Sequence, residues 1–217
     1  MPSVPLSIWL GLEDCLGAIS TRRPRTILDA GIGFGTFGQL LRQYLDVWEG
    51  RIRREDWHVT IDGIELVPER VLPHQRYIYD RIAVGDIREL VPQLASGYVY
   101  DAILFGDVLE HLPKGDATQL LKTAVALARH FVLIRIPLGN GWRERGRARA
   151  DDHLSKWEVE DFARFVAEIT VYDFYGHDYG QIAIDAPASR ALAIESLGQT
   201  LATLEEQLNT MLEEQPC

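Results

Sequence analysis

The sequence predicts an α/β protein built on a doubly wound, mostly parallel sheet, and three observations carry that prediction. Apolar, β-branched runs alternate with helical patterns five times between Thr26 and Pro137. The first run passes through Asp29-Ala-Gly-Ile-Gly-Phe-Gly35 into a helical pattern, and a strand, a glycine-rich turn and a helix together cradle ligands in such sheets. Two further strands near the C-terminus are separated by Gly176-His-Asp-Tyr-Gly180, which is too short for a parallel crossover, so the pair is expected as an antiparallel hairpin.

Taken in order, residues 6–19 place apolar side chains at 8, 9, 12, 15, 16 and 19, the spacing of a leading helix that packs on the sheet. Thr21 to Pro24 links it to the first strand, Thr26-Ile27-Leu28, closed by Asp29. Glycines at 31, 33 and 35 permit a tight turn and a close approach of backbone to ligand. Phe37, Leu40, Leu41, Tyr44 and Leu45 then mark a helix to about Trp48, and residues 49–56 form a charged, solvated insertion. His58 to Leu66 is the second strand, ending at Glu65, with Pro68 where a helix starts. Arg81 to Asp86 is the third strand, followed by a helix over 87–94. The fourth strand is expected over Tyr98 to Phe105, ending at Gly106-Asp107, and the fifth over Phe131 to Pro137, with a helix over 117–129 between them.

Beyond Pro137, residues 138–152 read as a Gly- and Arg-rich loop and 157–166 as a helix. Thr170 to Tyr175 and Gln181 to Ile184 are the two hairpin strands, and one long helix runs from Pro187. Its Leu197, Leu201, Leu204, Leu208 and Met211 recur at spacings of 4, 3, 4 and 3. That heptad seam serves either another subunit or a fold-back onto residues 6–19.

The composition is that of an ordinary globular protein, with 47% hydrophobic and 25% charged residues. A formal net charge of −10 argues against general nucleic-acid affinity, which needs clustered Lys and Arg. Cys15 and Cys217 show no metal or redox spacing, and the sequence expectation is that no metal is bound. The N-terminal stretch lacks the basic lead of a signal peptide, and no run approaches the roughly 20 apolar residues of a membrane span. A soluble, cytoplasmic protein without a membrane partner is expected.

A dinucleotide-type Gly-x-Gly-x-x-Gly beginning at Gly31 needs glycine at 36, where Thr36 stands. Asp29 is also a poor neighbour for a pyrophosphate but a good one for a cation. Asp29 to Gly35 resembles the first motif of the class I S-adenosylmethionine-dependent methyltransferases, which have a Rossmann-like, seven-stranded sheet. Glu65 resembles the family's acid that holds both ribose hydroxyls, and Gly85-Asp86-Ile87 its adenine segment. Tyr100 to Leu112, with Asp-Val-Leu-Glu-His at 107–111, resembles the fourth-strand motif of the small-molecule members.

The resemblance spans about residues 26–186 and implies a methyltransferase domain, read over 1–186 with 1–24 as a helical cover; the heptad of 187–217 makes the tail a candidate association element, open to pairing as a homodimer. The resemblance implies S-adenosylmethionine held by Asp29, Gly31, Ile32, Gly33, Gly35, Glu65, Leu66, Asp86, Ile87, Gly106 and Asp107. Structural readings stand beside these: Glu65 and Asp86 are also placed to cap helices, and Asp107, Glu110 and His111 to cap or pack. His153, with acids beside it to raise its basicity, is the candidate general base. Arginines at 143, 145, 147 and 149 form either a clamp for an anion or a solvated loop. The implied reaction is methyl transfer to an oxygen or nitrogen of a small acceptor, anionic or glycosidic, such as a sugar unit or a secondary metabolite. A non-catalytic module that assembles through its tail is the alternative.

Overall fold

The computed structural model describes residues 8–97, 99–142 and 152–213. The chain runs α1 (Leu12–Arg22), β1 (Thr26–Ala30), α2 (Thr36–Leu45), β2 (Thr60–Glu65), α3 (Pro73–Ile78), β3 (Arg81–Val84), α4 (Ile87–Gly97), β4 (Ala102–Gly106), α5 (Lys114–Leu127), β5 (Phe131–Pro137), β6 (Ala167–Phe174), β7 (His177–Asp185) and α6 (Ala186–Glu213). The seven strands form one sheet in the order β3-β2-β1-β4-β5-β7-β6. The first five pair in parallel, and β7 pairs antiparallel with both β5 and β6.

Alternation along the central strands divides the core. Leu28, Ile64, Ile103, Phe105, Val132 and Ile134 face α4 and α5, while Ile27, Ile61, Leu104 and Leu133 face α1 and α2. The strand order reverses between β1 and β4, and the crevice of such sheets opens there, at the carboxyl ends of the strands.

Several expected boundaries move, each for a visible reason. The leading helix starts at Leu12 rather than near residue 6, because Gly11 adopts a left-handed φ of 72° and breaks the helical path. The helix expected over 157–166 is only a short 3-10 turn at Val159–Phe162. Its apolar residues serve tertiary contacts instead: Trp157 stacks on Phe162 at 5.4 Å, and the Lys114 ammonium lies 3.7 Å from the Trp157 ring centre. The hairpin turns on two residues, Tyr175 and Gly176, both at positive φ, so Gly180 falls inside β7 and not in a five-residue loop. At Pro68, where a helix is expected, the chain makes only a short 3-10 turn over Pro68–Arg70, and the α-helix α3 starts at Pro73. The long helix does not fold back on α1, for residues 191–207 are exposed throughout. Leu197, Leu201 and Leu204 are 65%, 61% and 55% accessible, and the side chains of Leu208 and Met211 lie outside the described residues. No helix among the described residues is long and apolar enough to cross a membrane.

The charged segment after α2 is solvated, as its composition suggested, yet it is fastened at both ends by a buried cluster. Arg42 Nη1 donates to Asp46 Oδ2 and to Val59 O, both at 2.6 Å, and Nη2 donates to Ile78 O and Asp80 Oδ2 at 3.1 Å. Its guanidinium also lies 4.0 Å from the Trp57 ring centre. Asp46 accepts further from Arg51 Nε at 2.9 Å and His58 N at 2.8 Å. One side chain thus joins α2, the entry to β2 and the link from α3 to β3. Replacing Arg42 by Met leaves the fully buried Asp46 short of its main counter-charge. We expect a loss of roughly 3–5 kcal/mol in denaturant unfolding, against under about 1 kcal/mol for the exposed partner change Arg88→Met.

Candidate functional site

The turns after β1 to β5 enclose a crevice of about 620 Å³, the size of a small-molecule site. It is lined by Gly31 and Gly33 after β1, Glu65 and Leu66 at the end of β2, and Asp86 and Ile87 after β3. Gly106, Asp107, Glu110 and His111 follow β4, and Pro137, Trp142 and His153 complete the far segments. Four stretches distant in sequence therefore converge as the motif order implied.

Gly31 has a φ of 114°, and a Cβ there would sit 2.4 Å from Val108 Cγ2, so no side chain fits between the first and fourth loops. The glycine turn is shaped from beneath. Gln75, fully buried, donates from Nε2 to Gly33 O at 2.6 Å and accepts from Leu72 N at 2.6 Å. Tyr79 donates its hydroxyl proton to Asp29 Oδ2 at 2.5 Å and accepts from Gly38 N at 3.2 Å.

Asp29, Ile32 and Gly35 are not among the residues lining the crevice. Asp29 is fully buried against Tyr79, Ile32 belongs to the core facing α1 and α2, and Gly35 packs on Gln75 and Tyr79. Burial pushes the Asp29 carboxyl up to about 7, against the lowering effect of the Tyr79 hydrogen bond.

Glu65, 4% exposed, accepts from Val67 N at 3.0 Å, and burial raises its carboxyl above the ordinary value. Asp86 is both cap and crevice wall. Its Oδ1 accepts from Arg88 N at 2.9 Å at the start of α4, and both oxygens accept from the Arg88 guanidinium, which holds the carboxyl below its usual range. Asp107, at a strained φ of 55°, accepts from Tyr179 Oη at 2.7 Å, and burial raises it. Behind it the buried Arg135 of β5 donates to Leu10 O, drawing the segment before α1 over the sheet so that Ile8 reaches the crevice.

His111 points its ring into the crevice rather than into packing alone, and it meets His153 edge to face at 5.1 Å. The expectation that neighbouring acids raise the basicity of His153 is corrected: burial lowers it, then His111, and Asp152 opposes them only weakly. The arginines at 143, 145, 147 and 149 lie outside the described residues. Arg70, Arg88 and Trp142 line the crevice without having been singled out in the sequence. Arg88 had a local signal, two residues beyond a helix-capping acid, whereas Trp142 is placed by Phe174, His177 and Tyr179 of the hairpin, which no short-range pattern reports.

No protein-family model matches the sequence, and neither does any curated protein. Solved structures do resemble it. An O-methyltransferase family protein from Burkholderia thailandensis superposes with a TM-score of 0.52 at 15% identity, over 80% of this chain and 55% of that one. Magnesium protoporphyrin IX methyltransferase from Synechocystis PCC 6803, with bound SAH, gives 0.54 at 14% identity over 81% and 84% of the two chains. The 1,6-didemethyltoxoflavin-N1-methyltransferase of Burkholderia thailandensis, with its acceptor and S-adenosylhomocysteine bound, gives 0.55 at 17% over 81% and 78%.

The buried Asp29 carries a pH signature. Its carboxyl moves from 3.8 to about 7 on folding, so the fold favours the protonated form. That contribution is complete below about pH 4 and is lost as pH rises through 7, on the order of 4 kcal/mol at about 1.36 kcal/mol per unit. Asp29→Asn, which stays neutral while still accepting from Tyr79, is expected to reduce the fall in Tm between pH 4 and 7. Glu65, Asp107 and Glu110, all raised, keep the remainder of the slope.

Taken together, strand order, antiparallel closing hairpin and superpositions give this chain the Rossmann-like fold of the methyltransferase structures named above.

Proposed function

We propose that the protein is an S-adenosylmethionine-dependent methyltransferase acting on an oxygen or nitrogen of a small acceptor. The observation that carries this reading is the convergence of the glycine turn, Glu65, Asp86-Ile87 and the Gly106-Asp107 turn on one crevice. The residues fit the cofactor chemically. Glu65 is a buried carboxylate able to accept from two vicinal hydroxyls of a ribose, and Leu66 and Ile87 offer apolar surface to adenine. Asp86 faces the same space, and its oxygens have capacity for an amine beyond the bonds to Arg88. Gly31 lets backbone approach where a side chain is excluded. The acids of the crevice suit a ligand bearing a sulfonium and an ammonium better than a pyrophosphate. Asp29 serves indirectly, by holding the turn through Tyr79.

When bound, the cofactor supplies a methyl group activated by its sulfonium. The chain has to hold the acceptor in line and keep water from the reacting atoms, and Trp142 and Leu154 in the crevice wall offer apolar surface for that. His153, neutral at pH 7 because burial lowers it, keeps a lone pair for a hydroxyl proton or for an electrophile. A sugar or polysaccharide unit or a secondary metabolite, anionic or glycosidic, is the acceptor class supported by the small-molecule style of the fourth-strand motif and by the four arginines at 143, 145, 147 and 149. The non-catalytic alternative draws support from no observation. The neighbours named above include an enzyme solved with its small acceptor bound.

Calorimetry is the test. S-adenosylmethionine and S-adenosylhomocysteine are expected to bind and NAD not to. Glu65→Ala should weaken binding about 10- to 100-fold, the value of a charge-assisted hydrogen bond or two. Gly31→Val should abolish it while the fold melts cooperatively. Heat with NAD alone contradicts the reading.

The exposed leucines of α6 support pairing with a second copy through this helix. Light scattering is expected to give twice the chain mass of 24.6 kDa, reverting to the single mass in Leu201→Glu with Leu204→Glu. Monomeric parent protein removes the pairing.

A further inference from the structure

The wall of the crevice built by the segments after β4 and β5 holds a cluster to which methyl transfer as described assigns no single task. Glu110 is 2% exposed, and its Oε2 has no hydrogen-bond partner. Among the described residues no Lys or Arg forms an ion pair with it, and the nearby Asp107 adds a second buried acid. A buried carboxylate in that position is costly unless a cation meets it.

One ligand atom each of Glu110, His111 and His153 lies within 4.8 Å of the others. His111 Nδ1 is 3.1 Å from Asp152 O, and a carbonyl can only accept, so Nδ1 carries the proton and Nε2 the lone pair. A backbone carbonyl that fixes the tautomer in this way is the usual outer partner of a metal-bound imidazole. The two segments are locked together as well: Leu154 N and Ser155 N both donate to Glu110 O, at 2.7 and 3.0 Å, and Ser155 Oγ donates to Leu109 O at 3.2 Å. His153 is therefore placed against His111 by backbone bonds and not by chance contact of a free loop.

We propose that Glu110, His111 and His153 bind a divalent first-row transition cation through one carboxylate oxygen and two imidazole nitrogens, leaving its other positions open to the crevice. The mixed set favours Mn²⁺, Fe²⁺, Co²⁺ or Zn²⁺ over Mg²⁺ or Ca²⁺, which prefer oxygen alone. Three protein ligands with open positions are the pattern of a cation that meets a substrate, where a structural one is enclosed. The site stands on geometry alone; its task in methyl transfer rests on the function proposed above. A hydroxyl of the acceptor bound to the cation gives up its proton to water more readily. Its oxygen lone pair then forms the bond to the methyl carbon, and the carbon–sulfur pair stays on the departing neutral thioether. His153 is in this arrangement a ligand, and the cation takes over the work of a general base.

The test uses Co²⁺ added to full-length protein stripped with EDTA, followed by calorimetry and by its visible absorption. One equivalent per chain with the spectrum of a nitrogen-ligated ion is expected. His111→Ala and His153→Ala, both half-buried positions, should weaken it about tenfold or more. His130→Ala, whose exposed ring lies beside Asp101, should leave it unchanged. Thermal melts of both crevice variants show that they fold. No binding by the parent, or affinity unchanged in both crevice variants, overturns the site. S-adenosylmethionine titrated separately in EDTA keeps the two readings apart. Adenosyl heat without Co²⁺ binding removes the cation site alone, and Co²⁺ binding without adenosyl heat removes the methyltransferase reading alone.

Discussion

The hydroxyl of Tyr79 is the point on which the ligand-facing half of the molecule depends. It donates to Asp29 at the end of β1 and accepts from Gly38 N in the first turns of α2, so one oxygen bridges the two elements that flank the glycine turn. Three glycines in close succession give a backbone with little preference of its own. Their path has to be imposed, and Tyr79 with Gln75 imposes it by bonding to Asp29, Gly33 and Gly38 at once. Tyr79 is buried in the core that faces α1 and α2, and its bond to Asp29 Oδ2 holds that acid beneath the turn. Asp29 is part of the mould, and its raised carboxyl follows from being there.

The distribution of charge in the crevice follows the same logic of position. Each acid stands at or just after the carboxyl end of a strand, where the sheet stops supplying hydrogen-bond partners and a side chain has to find its own. Asp86 finds Arg88, Asp107 finds Tyr179, and Glu65 finds the backbone of its own turn. Asp107 Oδ2 and Glu110 Oε2 find none. Read as a series, the acids pass from fully satisfied to unsatisfied from the β3 side of the crevice to the β4 side. An unsatisfied buried acid is tolerated in a native protein where something else completes it, and that is where the structure invites a cation.

What the sequence disclosed is explained by the range of the forces involved. Strand runs, glycine turn and strand-end acids are local signals, so β1, β2, β3, β5 and the closing hairpin were legible, and the lining positions Gly31, Glu65, Asp86 and Asp107 with them. Contacts between distant segments were not. The pattern at 157–166 looked helical because Trp157 and Phe162 are both apolar, but they bury against each other and against Lys114 rather than along a helix face. Likewise the acids beside His153 suggested higher basicity, since sequence adjacency says nothing of the burial and of the His111 ring that lower it. The helix α3, which carries Gln75, has six residues, too few for a periodicity to show.

The two ends of the crevice are held by different kinds of bond, and this bears on how the fold takes on chemistry. The turn after β1 is fixed by two buried side chains, Gln75 and Tyr79, which bond to Gly33, Asp29 and Gly38. The segment carrying His153 is fixed to the β4 turn mainly by its own backbone, through Leu154 N and Ser155 N to Glu110 O. Backbone bonds survive most changes of side chain. The residues that face an acceptor can therefore vary while the frame around the proposed cofactor stays as it is. A sheet shared with methyltransferase structures at 14–17% identity, beside a histidine pair seated on backbone bonds, is the outcome this division of labour leads one to expect.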